Sequence, residues 1–196
     1  MSVPLADPLV LLRRWKSSDA EPLYAAARES IDEVGRWLPW CHGEYSIEDS
    51  RNWVRSRSQA WEAGTEYSFA IIERSSGRLV GGCGLNQIEP STKRANLGYW
   101  TRTSATGRNY STSAARILAQ FGLLELGFER LEIVAAAENI ASQRVALKAG
   151  AKREGTARRR VRIRDVQHDA VIFSLIREDL AEAQGDKSIG DLRPEV

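Results

Sequence analysis

Histidine, cysteine and methionine are scarce in this chain: two, two and one in 196 residues. Two cysteines, Cys41 and Cys83, build no disulfide framework. Two histidines, His42 and His168, are too few for a histidine-rich metal centre, so no metal is expected. No apolar run approaches the ~20 residues of a membrane helix, which removes a membrane partner from the expectations. The opening Met1-Ser2-Val3-Pro4-Leu5 lacks the basic and apolar regions of a secretory signal. A reducing cytoplasm is therefore the expected compartment. Walker loops, HExxH, CxxC and GxSxG strings are all missing, which argues against the nucleotide, zinc-protease, dithiol and hydrolase chemistries those strings serve.

What is present is enough apolar material, 42% of residues, to build a core, in a length that suits one domain with or without a tail. The formal charge of +2 hides an uneven distribution. Residues 141–177 carry ten basic and three acidic groups, and 178–196 carry two against six. We expect a domain over 9–178 and an acidic, flexible tail over 179–196.

Periodicity assigns the elements. Leu9–Leu12 reads as a short strand. Ser17-Ser18-Asp19 offers an N-cap, Pro22 lies in the opening turn, and Leu23, Ala27 and Ile31 recur at helical spacing. Ser46 with Asp49 resembles a capping box for a helix through Trp53, Val54, Arg57 and Trp61 to Gly64. Strands follow at Tyr67–Glu73, Leu79–Asn86 and Arg94–Arg102, with a hairpin turn at Ser76-Gly77. Ala114, Ile117 or Leu118, Phe121 and Leu124 line one helical face that stops at Gly127. Leu131, Ile133 and Ala135 alternate as a strand, and Asn139–Ala149 is a short helix closed by Gly150. Arg158–Arg164 and His168–Ile176 form a last hairpin. The order β-α-α-β-β-β-α-β-α-β-β predicts a mixed α/β (α+β) domain.

Three strings carry chemistry. Gly81-Gly82-Cys83-Gly84 lies inside or at the end of a strand, which points to close packing rather than a dinucleotide loop. Thr106-Gly107-Arg108-Asn109-Tyr110-Ser111-Thr112 joins a strand to a helix. Such a turn aims free N–H groups and the positive helix end outward, and it is either a phosphate cradle or an ordinary capped turn. Gly107 takes positive φ freely and Asn109 tolerates it. Arg158, Arg160, Arg162 and Arg164 alternate with Arg159, Val161 and Ile163, so four arginines share one strand face. That face is either a docking surface for an acidic partner or RNA, or a solvated face that discourages edge pairing. No interleaved aromatics favour nucleic acid.

Taken in order, Leu97-Gly98-Tyr99-Trp100, the 106–112 loop, Glu138-Asn139-Ile140-Ala141-Ser142, Lys148-Ala149-Gly150, Glu154-Gly155 and His168-Asp169 resemble the GNAT superfamily of acetyl-CoA-dependent N-acetyltransferases. The resemblance is to its Rim-like, ribosomal-protein N-terminal acetyltransferase branch and covers about residues 9–178. It implies a GNAT fold, a central splayed, mostly antiparallel sheet flanked by helices, with acetyl-CoA as acyl donor.

The strand carrying Tyr99, Trp100 and Thr101 is then the one that splays to pair with the pantetheine arm. Gly107, Arg108, Asn109, Tyr110, Ser111 and Thr112 form the pyrophosphate cradle, although Thr106, Asn109 and Ser111 depart from the family's residues there. Asn139 faces the cofactor's amide arm or caps its helix. Ser142 sits where a hydroxyl can protonate the leaving thiolate or act as a second cap. Trp37 and Trp40 fall in the substrate lid, and Cys41 is not expected to act as a nucleophile. Glu154 and Asp169 are read as structural. No base is evident, because Asn96 and Val161 stand where relatives carry carboxylates. Glu44, Glu66, Asp165, His168 or a water wire remain.

The expected reaction is acetyl transfer to a primary amine by direct attack in a ternary complex. A protein or peptide N-terminus is the preferred acceptor, because an α-amine is neutral for about a tenth of the time near pH 7. A small-molecule amine, a non-catalytic acyl-CoA-binding module and an RNA-docking protein are the alternatives. A homodimer is expected by family analogy only.

Overall fold

The computed structural model of the chain describes residues 5–180. Seven strands form one sheet: β1 (Val10–Arg14), β2 (Tyr67–Glu73), β3 (Leu79–Glu89), β4 (Arg94–Thr101), β5 (Arg130–Ala136), β6 (Lys152–Ile163) and β7 (Val166–Leu175). Their spatial order is β1-β2-β3-β4-β5-β7-β6, and every neighbouring pair is antiparallel except β4–β5. Four α-helices flank the sheet: α1 (Ala20–Arg28), α2 (Ile47–Glu62), α3 (Tyr110–Gln120) and α4 (Ile140–Lys148). Element order and type are those read from the sequence.

Period two explains how the sheet separates two cores. Along β2, Phe69 and Ile71 pack into the main core with Leu85, Leu97, Leu118, Leu131 and Ile133. Ala70 and Ile72 face the opposite way and join Trp15, Leu23, Ala26 and Val54 from the α1–α2 side. Strands covered on both faces read as continuous apolar runs, as Phe69–Ile72 does. Each fully buried large side chain contributes on the order of 1.5–3 kcal/mol.

Local signals hold where they are self-contained. Ser46 and Asp49 close a reciprocal capping box at the start of α2. Gly64, Gly77, Gly127 and Gly150 all take positive φ at the ends predicted for them. The glycine run in β3 is close packing: a Cβ on Gly81 would sit 2.1 Å from the Trp100 carbonyl oxygen, and one on Gly82 would sit 2.7 Å from Trp100 Nε1.

Four expectations need correction. Asp19 makes no side-chain cap for α1; its carboxylate is taken by Arg13 at 2.6 and 2.7 Å and by the Lys16 N–H. α1 ends at Arg28, so Ile31 lies in the turns beyond it. After Gln120 the helix widens into a π-turn, Phe121–Glu125, which shifts the apolar face by one residue. Leu123 is consequently fully buried, and Leu124 is 46% exposed. The arginine alternation fails at a bulge. Ala157 pairs with Ala170 and Val161 with His168, so Arg158, Arg159 and Arg160 of β6 stand opposite Asp169 alone. Arg159 takes φ +48° there, and its N–H donates to Asp169. The arginines therefore do not form one regular face.

Asp179 and Leu180, at the start of the segment read as a tail, are packed against the domain: Asp179 is buried and Leu180 lies on the main core. Residues 181–196 lie outside the described residues.

Candidate active site

The parallel seam between β4 and β5 is short. Arg94 pairs with Arg130, Ala95 with Leu131 and Asn96 with Glu132, and pairing then stops. Beyond it, Leu97–Thr101 and Ile133–Ala136 diverge, which leaves one backbone edge of each strand without a sheet partner. Because buried N–H and C=O groups demand partners, this open seam is a place built to receive an extended ligand. A cleft of about 1460 Å³ runs through it.

Side-chain alternation on β4 divides the cleft. Tyr99 and Thr101 face α3 and α4: the Tyr99 hydroxyl donates to the Ser142 carbonyl at 2.8 Å and lies 3.2 Å from Ser142 Oγ, while Thr101 Oγ1 bonds Ser111 Oγ. Asn96, Gly98 and Trp100 face the α1–α2 side, where Trp100 meets Trp40 edge-on with centroids 5.3 Å apart. Burial pushes the Tyr99 phenol up to about 12, so it stays protonated and a donor at neutral pH.

The loop before α3 takes the shape its sequence suggests. Gly107 has φ +76°, and Asn109 has φ +62° and ψ 11°. A Cβ on Gly107 would meet nothing within 4 Å, so its role is conformational. Asn109 places no side-chain cap over the helix, and the first-turn N–H groups of Tyr110, Ser111 and Thr112 have no carbonyl behind them in α3. Arg108 lines the same rim, as do Arg144 and Lys148 of α4. Lys148 Nζ approaches Asn109 Oδ1 at 3.5 Å.

Tyr110 and Thr112 are buried, with the Tyr110 hydroxyl on Glu73, so they offer the cleft chiefly backbone. The loop is anchored from behind: Glu29 accepts from Arg102 at 2.8 Å and from the Ser104 N–H and hydroxyl. These partners, Arg102 first, lower the Glu29 carboxyl to about 2.

Asn139 and Ser142 come together at the start of α4, where Asn139 Oδ1 accepts the Ser142 N–H at 3.1 Å. The capping role of Asn139 is thus present, and Ser142 keeps its hydroxyl beside Tyr99 on the cleft wall. Trp37 and Trp40 both line the cleft; Arg36 stacks on Trp37, and Trp40 also touches Tyr45.

Among the four residues considered as bases, only Glu66 lines the cleft, and Arg57 holds it at 2.6 Å. Asp165 is paired with Arg162 on a highly exposed turn, and His168 lies 3.5 Å from Glu138. Burial raises both cysteine thiols, which makes poor nucleophiles of them. Glu154 is occupied by Arg130 and Ser174. No group of histidines, cysteines or carboxylates among the described residues could hold a metal.

Sequence reasoning passed over Asn86, His42 and Arg57. Asn86 stands opposite Asn96 across the β3–β4 hairpin, and its side chain accepts from Asn96 Nδ2 at 2.9 Å. Counting outward from the hairpin turn would have paired them, but an irregularity between Asn86 and Glu89 breaks that count.

Comparison with known proteins gives this geometry a family. The acetyltransferase (GNAT) domain matches residues 10–152. The Bacillus subtilis (strain 168) protein named "Probable N-acetyltransferase YjcK" is 31% identical over 69% of this chain and 75% of its own. The ribosomal-protein-serine acetyltransferase of Escherichia coli (strain K12) is 26% identical over 80% of this chain and 86% of its own. A solved RimL structure, titled as a ribosomal L7/L12 α-N-protein acetyltransferase in complex with coenzyme A, superposes with TM-score 0.80 at 22% identity, covering 90% of this chain and 98% of that one. Family match, open β4–β5 seam and left-handed loop before α3 agree: the chain belongs to the GNAT family of acetyltransferases and is similar to the ribosomal-protein acetyltransferases within it.

Proposed function

We propose that this protein moves an acetyl group from acetyl-CoA to the α-amine of a protein or peptide, by direct attack with both substrates in the cleft, within one domain spanning residues 9–178. The observation that carries this reading is the abrupt end of β4–β5 pairing after Asn96–Glu132, beside the open loop at 107–112.

The residues present fit the donor. The unpaired edge of β4 from Leu97 to Thr101 offers backbone groups to the amide arm, and Asn139 lies across from it. Backbone N–H groups of the 107–112 loop, with Arg108, Arg144 and Lys148, suit the phosphates. These cations take the place of the long side chain that Thr106 does not supply. When bound, the thioester supplies an activated acyl carbon. Backbone N–H groups on β4 polarise the acyl oxygen, and Ser142, hydrogen-bonded to the Tyr99 phenol, protonates the departing sulfur. Holding both reactants in one cleft lowers the entropic part of the barrier.

An N-terminal acceptor is favoured because three of the four carboxylates lining the cleft are engaged, Glu66 by Arg57, Asp49 by Ser46 and Glu33 by Thr103, which leaves the exposed Asp32 to deprotonate an ammonium of high pKa. An α-amine, at about 7.7–8.0, reaches its neutral form without such a base. No helix among the described residues is long and apolar enough to cross a membrane.

Calorimetric titration with acetyl-CoA, followed by mass spectrometry of peptides with free or blocked N-termini, tests the reading. Binding and a 42-Da gain (about one acetyl) on free N-termini are expected. Turnover only on lysine side chains, or no acetyl-CoA binding at any salt concentration, overturns it.

A further inference from the structure

The acceptor side of the cleft holds one polar device that the preceding roles leave unused. Asn86 and Asn96 face each other across β3 and β4 and share a single hydrogen bond, Asn96 Nδ2 to Asn86 Oδ1 at 2.9 Å. Both line the cleft, both are half-buried, and both stand over Gly98. A Cβ built on Gly98 would lie 3.8 Å from Asn96 Nδ2 and 4.0 Å from Asn86 Nδ2. Asn96 is also the last β4 residue paired with β5, so the amides sit at the apex where the strands part.

One hydrogen bond between two carboxamides leaves one oxygen and one NH₂ group without a protein partner among the described residues. Exchanging O and N in both amides reverses the bond and again leaves one oxygen and one NH₂ free, now on the opposite residues. Half-buried polar groups left this way are matched by a ligand or water. The free pair, one acceptor beside one donor, complements the N–H and C=O of a single extended residue, the exchange two antiparallel strands make.

We infer that the Asn86–Asn96 pair is the seat of the acceptor's first residue: the free amide oxygen accepts an amine N–H, and the free amide NH₂ donates to the carbonyl on the neighbouring carbon. This rests on the acetyl-transfer reading and narrows its acceptor to an amine with a carbonyl on its α-carbon, a peptide N-terminus or amino-acid amide. A lysine ε-amine or simple alkylamine has no carbonyl there and fills half the seat.

An amide oxygen accepts from an ammonium as readily as from an amine but takes up no proton, so the acceptor reacts as the neutral amine after any extra proton has gone to water. The nitrogen lone pair forms the bond to the acyl carbon, the C–S bond breaks, and its electron pair leaves on sulfur. The proton lost by nitrogen passes to water in the cleft, and an equivalent proton reaches the thiolate, so none accumulates. Neither asparagine acts as a base.

The test compares L-alanyl-L-alaninamide with 2-aminopropane, which keeps amine and methyl but has no carbonyl, each rate expressed per neutral amine. The wild-type protein should favour the dipeptide amide roughly tenfold, the value of about one hydrogen bond. Asn86→Ala should abolish that preference by slowing the dipeptide alone. Asn96→Ala should slow both acceptors about equally, and Asn96→Asp should restore rate while moving the rising limb of kcat/KM to lower pH. In the wild-type protein the midpoint of that limb should follow the acceptor's own pKa.

Calorimetry of the same two compounds on the unliganded protein repeats the comparison without turnover, and thermal melting checks that each variant folds. Selective binding without acetylation leaves the seat standing and overturns the function. An unchanged preference in Asn86→Ala, in rate and binding alike, overturns the seat, as does a midpoint identical for acceptors of different pKa.

Discussion

The two ends of the β4–β5 seam are made from the same strands and do opposite things. At the closed end three backbone pairs are reinforced by ions: Arg94 meets Glu132 at 2.8 Å, Arg130 meets Glu132 at 3.0 Å, and Arg130 reaches Glu154, which also accepts from Ser174. At the open end, the hydroxyl of Tyr99 is the link from β4 to α4 that the described residues show, on Ser142. Stability is concentrated where pairing is complete, and binding groups appear where it is withheld. Unpaired backbone is costly in a core and useful in a cleft, so the family's site lies where the sheet stops satisfying itself.

Breaking the closed end should have the largest effect. Leu131 is fully buried directly under the seam, and Leu131→Ala should cost about 3–5 kcal/mol of unfolding free energy, read from urea melts. Acetyl-CoA affinity per folded molecule should change little, because Leu131 does not line the cleft.

A smaller effect is expected from Glu154→Gln. The pair with Arg130 is 42% exposed on the glutamate side, so solvent screening holds its contribution to about 1 kcal/mol or less. Its pH dependence sharpens the comparison. Arg130 first, then Ser174, lower the Glu154 carboxyl from 4.5 to about 2. A depressed carboxyl stabilises the folded state above its unfolded pKa and loses that contribution as pH falls through the folded one. The closed end should therefore weaken between pH 4.5 and 2, and Glu154→Gln should flatten that part of the stability curve. Tyr99, protonated until about pH 12, contributes no titration over the same range.

An effect on stability no larger than that of Glu154→Gln belongs to Tyr99→Phe at the open end, about 0.5–1 kcal/mol for one lost hydrogen bond. If the phenol orients Ser142, kcat should fall several-fold while KM for acetyl-CoA stays within about twofold. Equal loss in Ser142→Ala and in the double variant would establish that the two act as a unit. Additive losses would separate them.

Much of this was legible in the sequence where the signal is local. The capping box at Ser46 and Asp49, the positive φ at Gly107 and Asn109, and the helix stops at Gly127 and Gly150 each depend on a few adjacent residues. Leu124 was misplaced because a π-turn adds a residue to the helical repeat, which no apolar spacing announces. The arginine strand was misread for a related reason: the bulge at Arg159 is stabilised by Asp169 from the partner strand, ten residues away. Asn86 was overlooked because its meaning lies in Asn96 across a hairpin. Glu66 is held by Arg57, nine residues earlier on a helix, a pairing that no local spacing announces.

The amino-acid sequence alone determined the order of elements, the left-handed loop before α3 and the ordered strings that resemble the family. It also determined that the chemistry has few histidines and cysteines to draw on. Only the tertiary structure decided where β4 and β5 part, that Tyr99 meets Ser142, and that Asn86 and Asn96 share one bond and leave two groups free. The reason is the range of the forces. Dihedral preference and apolar periodicity act between near neighbours in the chain, whereas a cleft is made of contacts the chain does not make.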